Sequence, residues 1–416
     1  MNNSKKTKRF YLILVLGLLT AIGPFSIDMY LPAFPDIARD LDTTIAKVML
    51  SLSSFFIGIS VGQLIYGPML ERFGRKKPLY AGLIIYLLAS IGCVLATSVD
   101  ALIFFRLLQA LGGCAGMVAA RAIVRDLFEV KDIAKIFSML MLVVAVSPIV
   151  APTAGGYITA TFGWHSVFIA LIIISILIIA GVYFLLPNSK EADPGFSLKP
   201  SAILKNFASI SRHPQFYTYA LTGSIANAGL YAYISGSPFV FMELFKVSEK
   251  QYGWIFAMIA VGIISASQVN NFVLKRSSSE KIVRVAVMFQ TIIGITLASL
   301  SILGISNLFL TIVLIFSYLA CQGFIFPNAS ALCLSPFGHT AGSASALMGA
   351  IQMGIGAATS AMVSVFQNNS SLTMTATMAS CSILAFAMLL LGRKLILQRA
   401  TLEEVEEEDV EMISTL

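Results

Sequence analysis

Twelve apolar runs of about 20 residues constrain this chain most, because a helix of that length crosses the roughly 30 Å hydrocarbon core of a bilayer. Charges or turn residues separate the runs, and 12% of all residues are charged, against roughly 25% in soluble domains. This pattern excludes a soluble enzyme, a disordered regulator and a secreted disulfide scaffold, the last also because all five cysteines lie inside apolar runs. The predicted spans are 10–35, 46–70, 79–98, 101–121, 137–160, 165–186, 216–242, 252–274, 282–304, 308–333, 341–366 and 372–397.

The distribution of Lys and Arg predicts the orientation of these spans. If the N-terminus is cytoplasmic, 23 of the 28 basic residues lie in the two terminal regions and the even-numbered loops, and four lie in outer loops. Cytoplasmic loops are enriched in Lys and Arg, so we expect both termini to be cytoplasmic. The formal charge of +7 is then an orientation signal and does not indicate a nucleic-acid partner. The remaining basic residue, Arg106, lies within the fourth span.

One long polar segment divides the chain into two halves with six spans each. This division predicts an N-terminal bundle at 1–186, a cytoplasmic linker at 187–215 and a C-terminal bundle at 216–397. Equal halves joined by a linker are a common plan for transporters. The segment 398–416 is rich in Glu and predicts a solvated, disordered cytoplasmic tail.

The loop after the second span combines glycines with an acid and a basic cluster: Gly67, Glu71, Arg72, Gly74 and Arg75. The glycines permit a tight reversal, and Glu71 can pair with a nearby arginine. This order resembles the loop motif of the major facilitator superfamily, with Glu71 where the family usually has Asp, and the resemblance implies a gating role. An alternative is a simple basic anchor at the cytoplasmic face.

The fifth span contains two prolines four residues apart, followed by a glycine pair: Pro148, Pro152, Gly155 and Gly156. Proline removes a backbone hydrogen bond and distorts a helix, and small residues let a neighbouring helix approach. The segment resembles the antiporter motif of superfamily drug exporters, although Ala151 replaces the usual glycine. Small-residue packing alone is the alternative explanation.

Three further segments extend the resemblance over most of the chain. Residues 102–113 are similar to the superfamily's helix-four motif with its buried arginine, here Arg106. Together with 26–35 and with 121–126, which includes Arg125 and Asp126, they resemble the Bcr/CflA drug-resistance exporters. Membership would imply an all-α membrane protein with the major facilitator fold, twelve transmembrane helices in two six-helix bundles, acting as a monomeric drug/proton antiporter of the bacterial inner membrane. Arg125 and Asp126 would act with the loop motif in gating.

Asp28 and Arg106 are the two clear charges within predicted spans, and charges there are costly and usually functional. Counting from Asp36 and Asp100 at about 1.5 Å per residue places both on the order of 9–12 Å from the outer boundary. In the superfamily that the chain resembles, helices one and four both line a central cavity, so the resemblance implies that the two side chains meet there and couple transport to protons. In the alternative, Asp28 simply rims the outer mouth.

Polar stripes at helical spacing predict the wall of a substrate cavity. Buried Asn, Gln and Ser also serve as interhelical hydrogen-bonding groups, which is the alternative role for each of them. The candidate cavity residues are Tyr30, Gln109, Gly113, Met117, Asn227, Tyr231, Gln322, Asn328 and Gln352.

No catalytic or cofactor pattern is evident in the sequence. His165, His213 and His339 lie in different loops without metal-ligand spacing, and no phosphate-binding glycine loop precedes a lysine. We therefore expect a transporter without metal or cofactor, with a small-molecule substrate, protons and the lipid bilayer as its partners. Export of an endogenous metabolite such as a siderophore, or proton-coupled import, remains an alternative to drug efflux.

Overall fold

The computed structural model describes residues 3–128, 130–193, 195, 200–337, 341–368 and 370–414, and His339 and part of the predicted linker lie outside them. Their regular structure is helical. The α-helices are α1 Asn3–Asp28, α2 Phe34–Asp40, α3 Ile45–Arg72, α4 Lys76–Val94, α5 Val99–Leu127, α6 Val130–Phe162, α7 His165–Leu185, α8 Pro200–Ser211, α9 Pro214–Pro238, α10 Glu249–Val273, α11 Ser279–Ile302, α12 Leu308–Leu334, α13 Ala341–Val365 and α14 Leu372–Ser414.

Each predicted span corresponds to a helix, with α2 and α8 as short additional helices. Within the described residues, eleven helical segments are long and apolar enough to cross a membrane. Helix α9 corresponds to a predicted span but is outside that set. It carries many Ser, Thr, Asn and Tyr residues, most of them buried against other helices. Polar residues facing inward lower the mean hydropathy of a span without exposing polar groups to lipid.

The first predicted span is not one continuous helix. The α-helix ends at Asp28, a short 3-10 turn covers Leu31–Ala33, and α2 begins at Phe34. Pro32 and Pro35 cannot donate backbone hydrogen bonds, which explains why the helix is interrupted here. The break places Asp28 at the end of α1 rather than in mid-helix.

The prediction of a disordered tail at 398–416 is wrong for the described residues, because the last helix, α14, includes most of that segment. It continues from the twelfth span through the acidic residues to Ser414. Glu is a strong helix former, so the run of acids extends the helix in spite of its charge.

The two halves contact each other mainly through two helix pairs, α3 with α13 and α6 with α10. One end of the molecule carries Arg75, Arg125 and Lys190, and we call it the basic end. At the opposite end an apolar core cluster draws residues from both halves, among them Tyr30, Phe56, Trp164, Tyr231, Phe241 and Tyr252. At the basic end a cavity of about 420 Å³ separates α3 and α5 from α13. The halves therefore pack closely at one end and leave a cavity between them at the other.

Candidate functional site

Arg106 is completely buried in the first half of the chain. One terminal nitrogen donates to Gln109 Oε1 at 2.5 Å, and the other donates to the carbonyl oxygen of Ser26 at 3.0 Å. Gln109 in turn donates to Ser90 Oγ at 2.7 Å, which fixes the amide orientation that accepts from the arginine. Because Ser26 lies on α1 and Ser90 on α4, this network ties three helices together around one positive charge.

Aromatic rings complete the surroundings of the guanidinium. Its central carbon lies 4.2 Å from the ring centroid of Phe55 and 4.5 Å from that of Tyr30. Cations over aromatic faces are stabilised by the ring quadrupole, more strongly where water is excluded. The charge is thus held by hydrogen bonds and rings, without an ion-pair partner among the described residues.

The structure does not place Asp28 in an ion pair with Arg106. Asp28 is 5% exposed, and its carboxylate lies close enough to Tyr233 on α9 and Tyr252 on α10 to act on both electrostatically. Both tyrosines belong to the second half of the chain. Asp28 therefore lies at the junction between the halves, whereas Arg106 lies inside the first half.

The cavity candidates of the first half are packed more tightly than a cavity wall requires. Tyr30 is fully buried, with its hydroxyl 2.9 Å from Ser51 Oγ. A Cβ at Gly113 would lie 3.1 Å from the ring of Tyr86, so this glycine permits close packing of α5 on α4. A Cβ at Gly23 of α1 would lie 3.0 Å from Met117 Sδ, so the methionine packs into the space that this glycine leaves. In this conformation these three residues, like Gln109, serve helix packing.

In the second half, three candidates lie together and two do not. The hydroxyl of Tyr231 on α9 interacts with the side chains of Asn227 and of Gln352 on α13. By contrast, Gln322 donates to the carbonyl oxygen of Ala226 at 2.5 Å, so it ties α12 to α9.

Asn328 also makes an interhelical contact. It donates to Asn270 Oδ1 at 2.8 Å and so ties α12 to α10. Gln322 and Asn328 therefore take the alternative role of interhelical hydrogen bonding.

The loop motif forms a charged cluster at the basic end, the Arg75 cluster of Glu71, Arg75, Asp126 and Lys190. Arg75 Nε donates to Asp126 Oδ2 at 2.7 Å, and its Nη1 donates to Glu71 Oε1 at 2.9 Å. Burial lowers the pKa of Arg75, but the hydrogen bonds to Asp126 and Glu71 outweigh it and raise the pKa, so the guanidinium stays charged. The cluster connects the end of α3, the loop and the end of α5.

Residues after the sixth span complete this cluster, and the sequence pattern did not indicate them. Lys190 Nζ lies 2.5 Å from Glu71 Oε2, and Ser189 Oγ donates to Asp126 Oδ2 at 3.1 Å. Gly74 has a φ of +76°, and a Cβ there would lie 3.1 Å from the carbonyl oxygen of Lys190. The start of the polar segment thus lies directly on the loop motif.

Arg72 is the last residue of α3, and Gly67, Glu71, Arg75 and Arg125 all line the cavity at the basic end. A Cβ at Gly67 would meet nothing within 4 Å, so this glycine is not required by packing in this conformation. The loop motif and the end of α5 together form one side of the cavity.

At the opposite end, the antiporter motif packs against the second half. Both prolines lie inside α6. A Cβ at Gly156 would lie 2.6 Å from the carbonyl oxygen of Glu249, and Gly155 lies against the backbone of Met29. On the facing helix, a Cβ at Gly253 would lie 2.9 Å from the carbonyl oxygen of Pro152. Glycines on both helices therefore bring α6 and α10 into backbone contact.

Gly253 is a second residue that the sequence analysis missed. The antiporter motif lies on α6 alone, and nothing in the sequence around Gly253 indicates that this glycine packs against it.

Serine hydroxyls make the other contact between the halves. Ser360 on α13 bonds Ser53 on α3 at 2.9 Å and Ser235 on α9 at 2.5 Å. Ser60 on α3 donates to the carbonyl oxygen of Ala350 at 2.9 Å. We call this contact the serine seam.

Among the described residues, no group of three or more His, Cys, Asp or Glu side chains is placed to hold a metal ion. The polar and charged groups are instead distributed between the buried Arg106 network, the junction at Asp28 and the two ends of the molecule.

Residues 16–361 match the family model of the Major Facilitator Superfamily. An uncharacterized MFS-type transporter of Bacillus subtilis, YdgK, is 35% identical, with 88% of this chain and 91% of the relative aligned. The bicyclomycin resistance protein homolog of Haemophilus influenzae is 31% identical over 94% of this chain and 98% of its own length. Multidrug resistance protein D of Escherichia coli is 27% identical, covering 86% and 90% of the two chains.

Solved transporters have the same fold. A D-xylose–proton symporter superposes with a TM-score of 0.72 at 14% identity, covering 91% of this chain and 98% of the symporter. A bacterial homologue of the human lysosomal transporter Spinster, in an inward-facing and occupied conformation, gives a TM-score of 0.70 at 16% identity, covering 93% and 97%. The expected fold of twelve membrane helices in two six-helix bundles is confirmed, and the relatives are transporters rather than enzymes. This chain is a multi-pass protein of the bacterial inner membrane and belongs to the Major Facilitator Superfamily.

Proposed function

We propose that the protein exports small amphipathic drugs from the cytoplasm in exchange for protons, by alternating access. The relatives named for bicyclomycin and multidrug resistance support the substrate class. The observation that carries proton coupling is Asp28, a buried carboxylate at the junction between the halves, without an ion-pair partner among the described residues.

The basic end is proposed to be cytoplasmic, on the basis of the Lys and Arg distribution. With this orientation the conformation is inward-facing: α6 and α10 close the periplasmic end, and the cavity beside the Arg75 cluster opens to the cytoplasm. A drug enters from the cytoplasm, and switching then requires the α6–α10 contact to separate while the cytoplasmic ends close. The Arg75 cluster would hold the first-half helix ends in position for that closure.

Asp28 would act as the proton carrier. Burying an unpaired charge is unfavourable, so closing the junction around Asp28 favours the protonated carboxyl. Opening of the periplasmic end would let the carboxyl take up a proton, and the closed junction of the inward-facing state would retain it. Release to the cytoplasm would require the carboxylate to turn toward Arg106, whose charge stabilises the ionised form. Direct pairing with Arg106, expected from the sequence, would require a second arrangement in which the carboxylate has turned away from Tyr233 and Tyr252.

The test is transport in everted membrane vesicles with an imposed proton gradient, comparing wild type with Asp28→Asn. We expect the variant to lose gradient-driven accumulation of an amphipathic dye such as ethidium, while binding of the dye to the purified protein persists. Asp36→Asn is the matched control, because Asp36 is a partly exposed carboxylate that lies eight residues after Asp28 and pairs with Arg39. Full proton-driven transport by Asp28→Asn would refute the proposed coupling.

We further propose the predicted domain arrangement: bundles at 1–186 and 216–397, a cytoplasmic linker at 187–215 and a cytoplasmic tail at 398–416. A monomer satisfies this scheme, because both faces of the cavity come from one chain. If the protein confers no resistance in a pump-deficient host, while its deletion traps a metabolite inside the cell, the alternative of endogenous metabolite export replaces drug efflux.

A further inference from the structure

The cavity at the basic end contains two arginines that the proposed mechanism does not use as a pair. Arg121 and Arg125 lie four residues apart on α5, so they are on the same face one turn apart, and both line the cavity. Arg125 is close enough to Arg121 to act on it as a like charge. The Nε atom of Arg121 is buried and has no hydrogen-bond partner.

The neighbouring carboxylates are already engaged elsewhere. Glu71 pairs with Arg75 and Lys190, and Asp126 pairs with Arg75 and accepts from Ser189. Neither Arg121 nor Arg125 forms an ion pair with a carboxylate in the described part of the chain. Arg125 is exposed on the cavity side, but the buried Nε of Arg121 lacks an acceptor, and an anionic ligand in the cavity would supply one.

A third positive element faces the same space across the cavity. Helix α13 begins at Ala341, and the N-terminal end of a helix carries a partial positive charge and free N–H groups. A Cβ at Gly342 would lie 3.7 Å from Arg125 Nη1, so the start of α13 and this guanidinium are neighbours. Ser343 and Ser345 also line the cavity and add hydroxyl donors to this face.

We propose that Arg121, Arg125 and the start of α13 form a subsite for the anionic group of a substrate, a carboxylate, sulfonate or phosphate, on an amphipathic molecule that enters from the cytoplasm. The cavity volume of about 420 Å³ lies within the range of pockets for drug-sized ligands. This inference rests on the proposed function for the direction of entry. It adds a substrate class, acidic or zwitterionic amphiphiles, that the Asp28 mechanism does not specify.

The subsite can be tested with two fluorescent probes that share an apolar skeleton and differ in charge. The sulfonate probe is 1-anilinonaphthalene-8-sulfonate, and the neutral probe is N-phenyl-1-naphthylamine. Each is titrated against purified protein in phosphatidylcholine nanodiscs, with empty nanodiscs as background. A hydrogen bond to a charged group contributes enough that removing it weakens binding roughly tenfold or more.

We expect Arg121→Gln and Arg125→Gln each to weaken binding of the sulfonate probe about tenfold and to leave the neutral probe unchanged. Arg121→Lys should retain most of the sulfonate affinity, since it keeps the charge. Arg39→Gln removes an exposed arginine at the opposite end and should leave both probes unchanged. If Arg121→Gln does not fold, Arg125→Gln carries the test alone, because Arg125 is exposed on the cavity side.

A second arm distinguishes a substrate anion from a lipid headgroup. If headgroups occupy the subsite, nanodiscs containing phosphatidylglycerol lower the sulfonate affinity of the wild type but not of Arg125→Gln. If lipid composition has no effect, headgroups do not occupy the subsite, and it is free for a substrate. Competition by phosphatidylglycerol and its absence both support an anion site. Equal loss of both probes, or no loss of the sulfonate probe, would overturn it. The binding assay uses no proton gradient, so a negative result leaves the Asp28 mechanism standing. Likewise, a failure of the Asp28 transport test leaves the anion subsite standing.

Discussion

Adding one methyl group at Gly253 should open the end of the molecule opposite the basic end, which the proposed orientation makes the periplasmic end. A Cβ there would lie 2.9 Å from both the carbonyl oxygen of Pro152 and the Cα of Thr153, and 3.2 Å from the carbonyl carbon of Pro152. Optimal carbon contacts are about 3.5–4.0 Å, so the helices must separate by several tenths of an ångström. The obstructing atoms belong to the backbone, and a side-chain rotation cannot relieve the clash.

The expected size of the effect follows from overpacking, which costs about 1–3 kcal/mol in a well-packed contact. The added strain exists in the inward-facing state, where α6 and α10 touch, and disappears when they part. The helix-propensity gain of alanine over glycine is the same in both states and cancels from the equilibrium. Gly253→Ala should therefore shift the equilibrium toward the outward-open state by roughly 5- to 150-fold.

The assay is double electron–electron resonance in nanodiscs, with spin labels at positions 43 and 367 in a cysteine-free background. Thr43 and Gln367 come from different halves and border the same hollow at the periplasmic end, so their distance increases when that end opens. Gly354→Ala is the matched control, since a Cβ there would lie an ordinary 3.5 Å from Ser60 Oγ. An unchanged distance distribution for Gly253→Ala, or an equal change for Gly354→Ala, would refute the packing argument.

Four further substitutions test the buried polar groups and the loop cluster. Gln109→Leu removes the side-chain acceptor of Arg106 and should destabilise the purified protein by about 1.5–3 kcal/mol, measured by thermal unfolding. Gln290→Leu should be neutral or stabilising in the same measurement, because the buried Gln290 amide has no partner; a clear loss of stability would contradict this. Arg75→Gln breaks a mostly buried charge network and should cost about 3–5 kcal/mol, whereas Lys190→Gln removes a half-exposed pair and should cost under about 1 kcal/mol. Lys190→Gln should nevertheless speed amide hydrogen exchange at Ala192 and Asp193, and unchanged exchange would show that the ion pair does not hold this segment.

The membrane itself made most of the fold predictable from the sequence. The energetic cost of polar groups in lipid forces long apolar runs, so the spans could be located before any contact was known. The same cost predicted that Arg106 is a buried charge, and the structure places it with no exposed surface. The interruption after Asp28 was not predicted, because the apolar run at 10–35 predicts one continuous span.

The hydrogen-bond and ion-pair partners of these residues were less predictable from the sequence than their positions on the helices. Helical spacing identified Gln322 and Asn328 as inward-facing, but not that their amides reach Ala226 and Asn270 on other helices. Lys190 is 119 positions from Glu71 in the chain, and no local pattern connects them. Such contacts depend on how helices are arranged in space, which span-by-span reasoning does not determine.

The serine seam has a consequence for how often the two halves can separate. Ser53, Ser235 and Ser360 form hydrogen bonds between three helices through their hydroxyl groups. A hydroxyl can rotate to donate to water or accept from it, so breaking these bonds leaves no charge without a partner. Under the proposed alternating access these surfaces part and rejoin in every cycle, and water can then replace each of these hydrogen bonds at little net free energy.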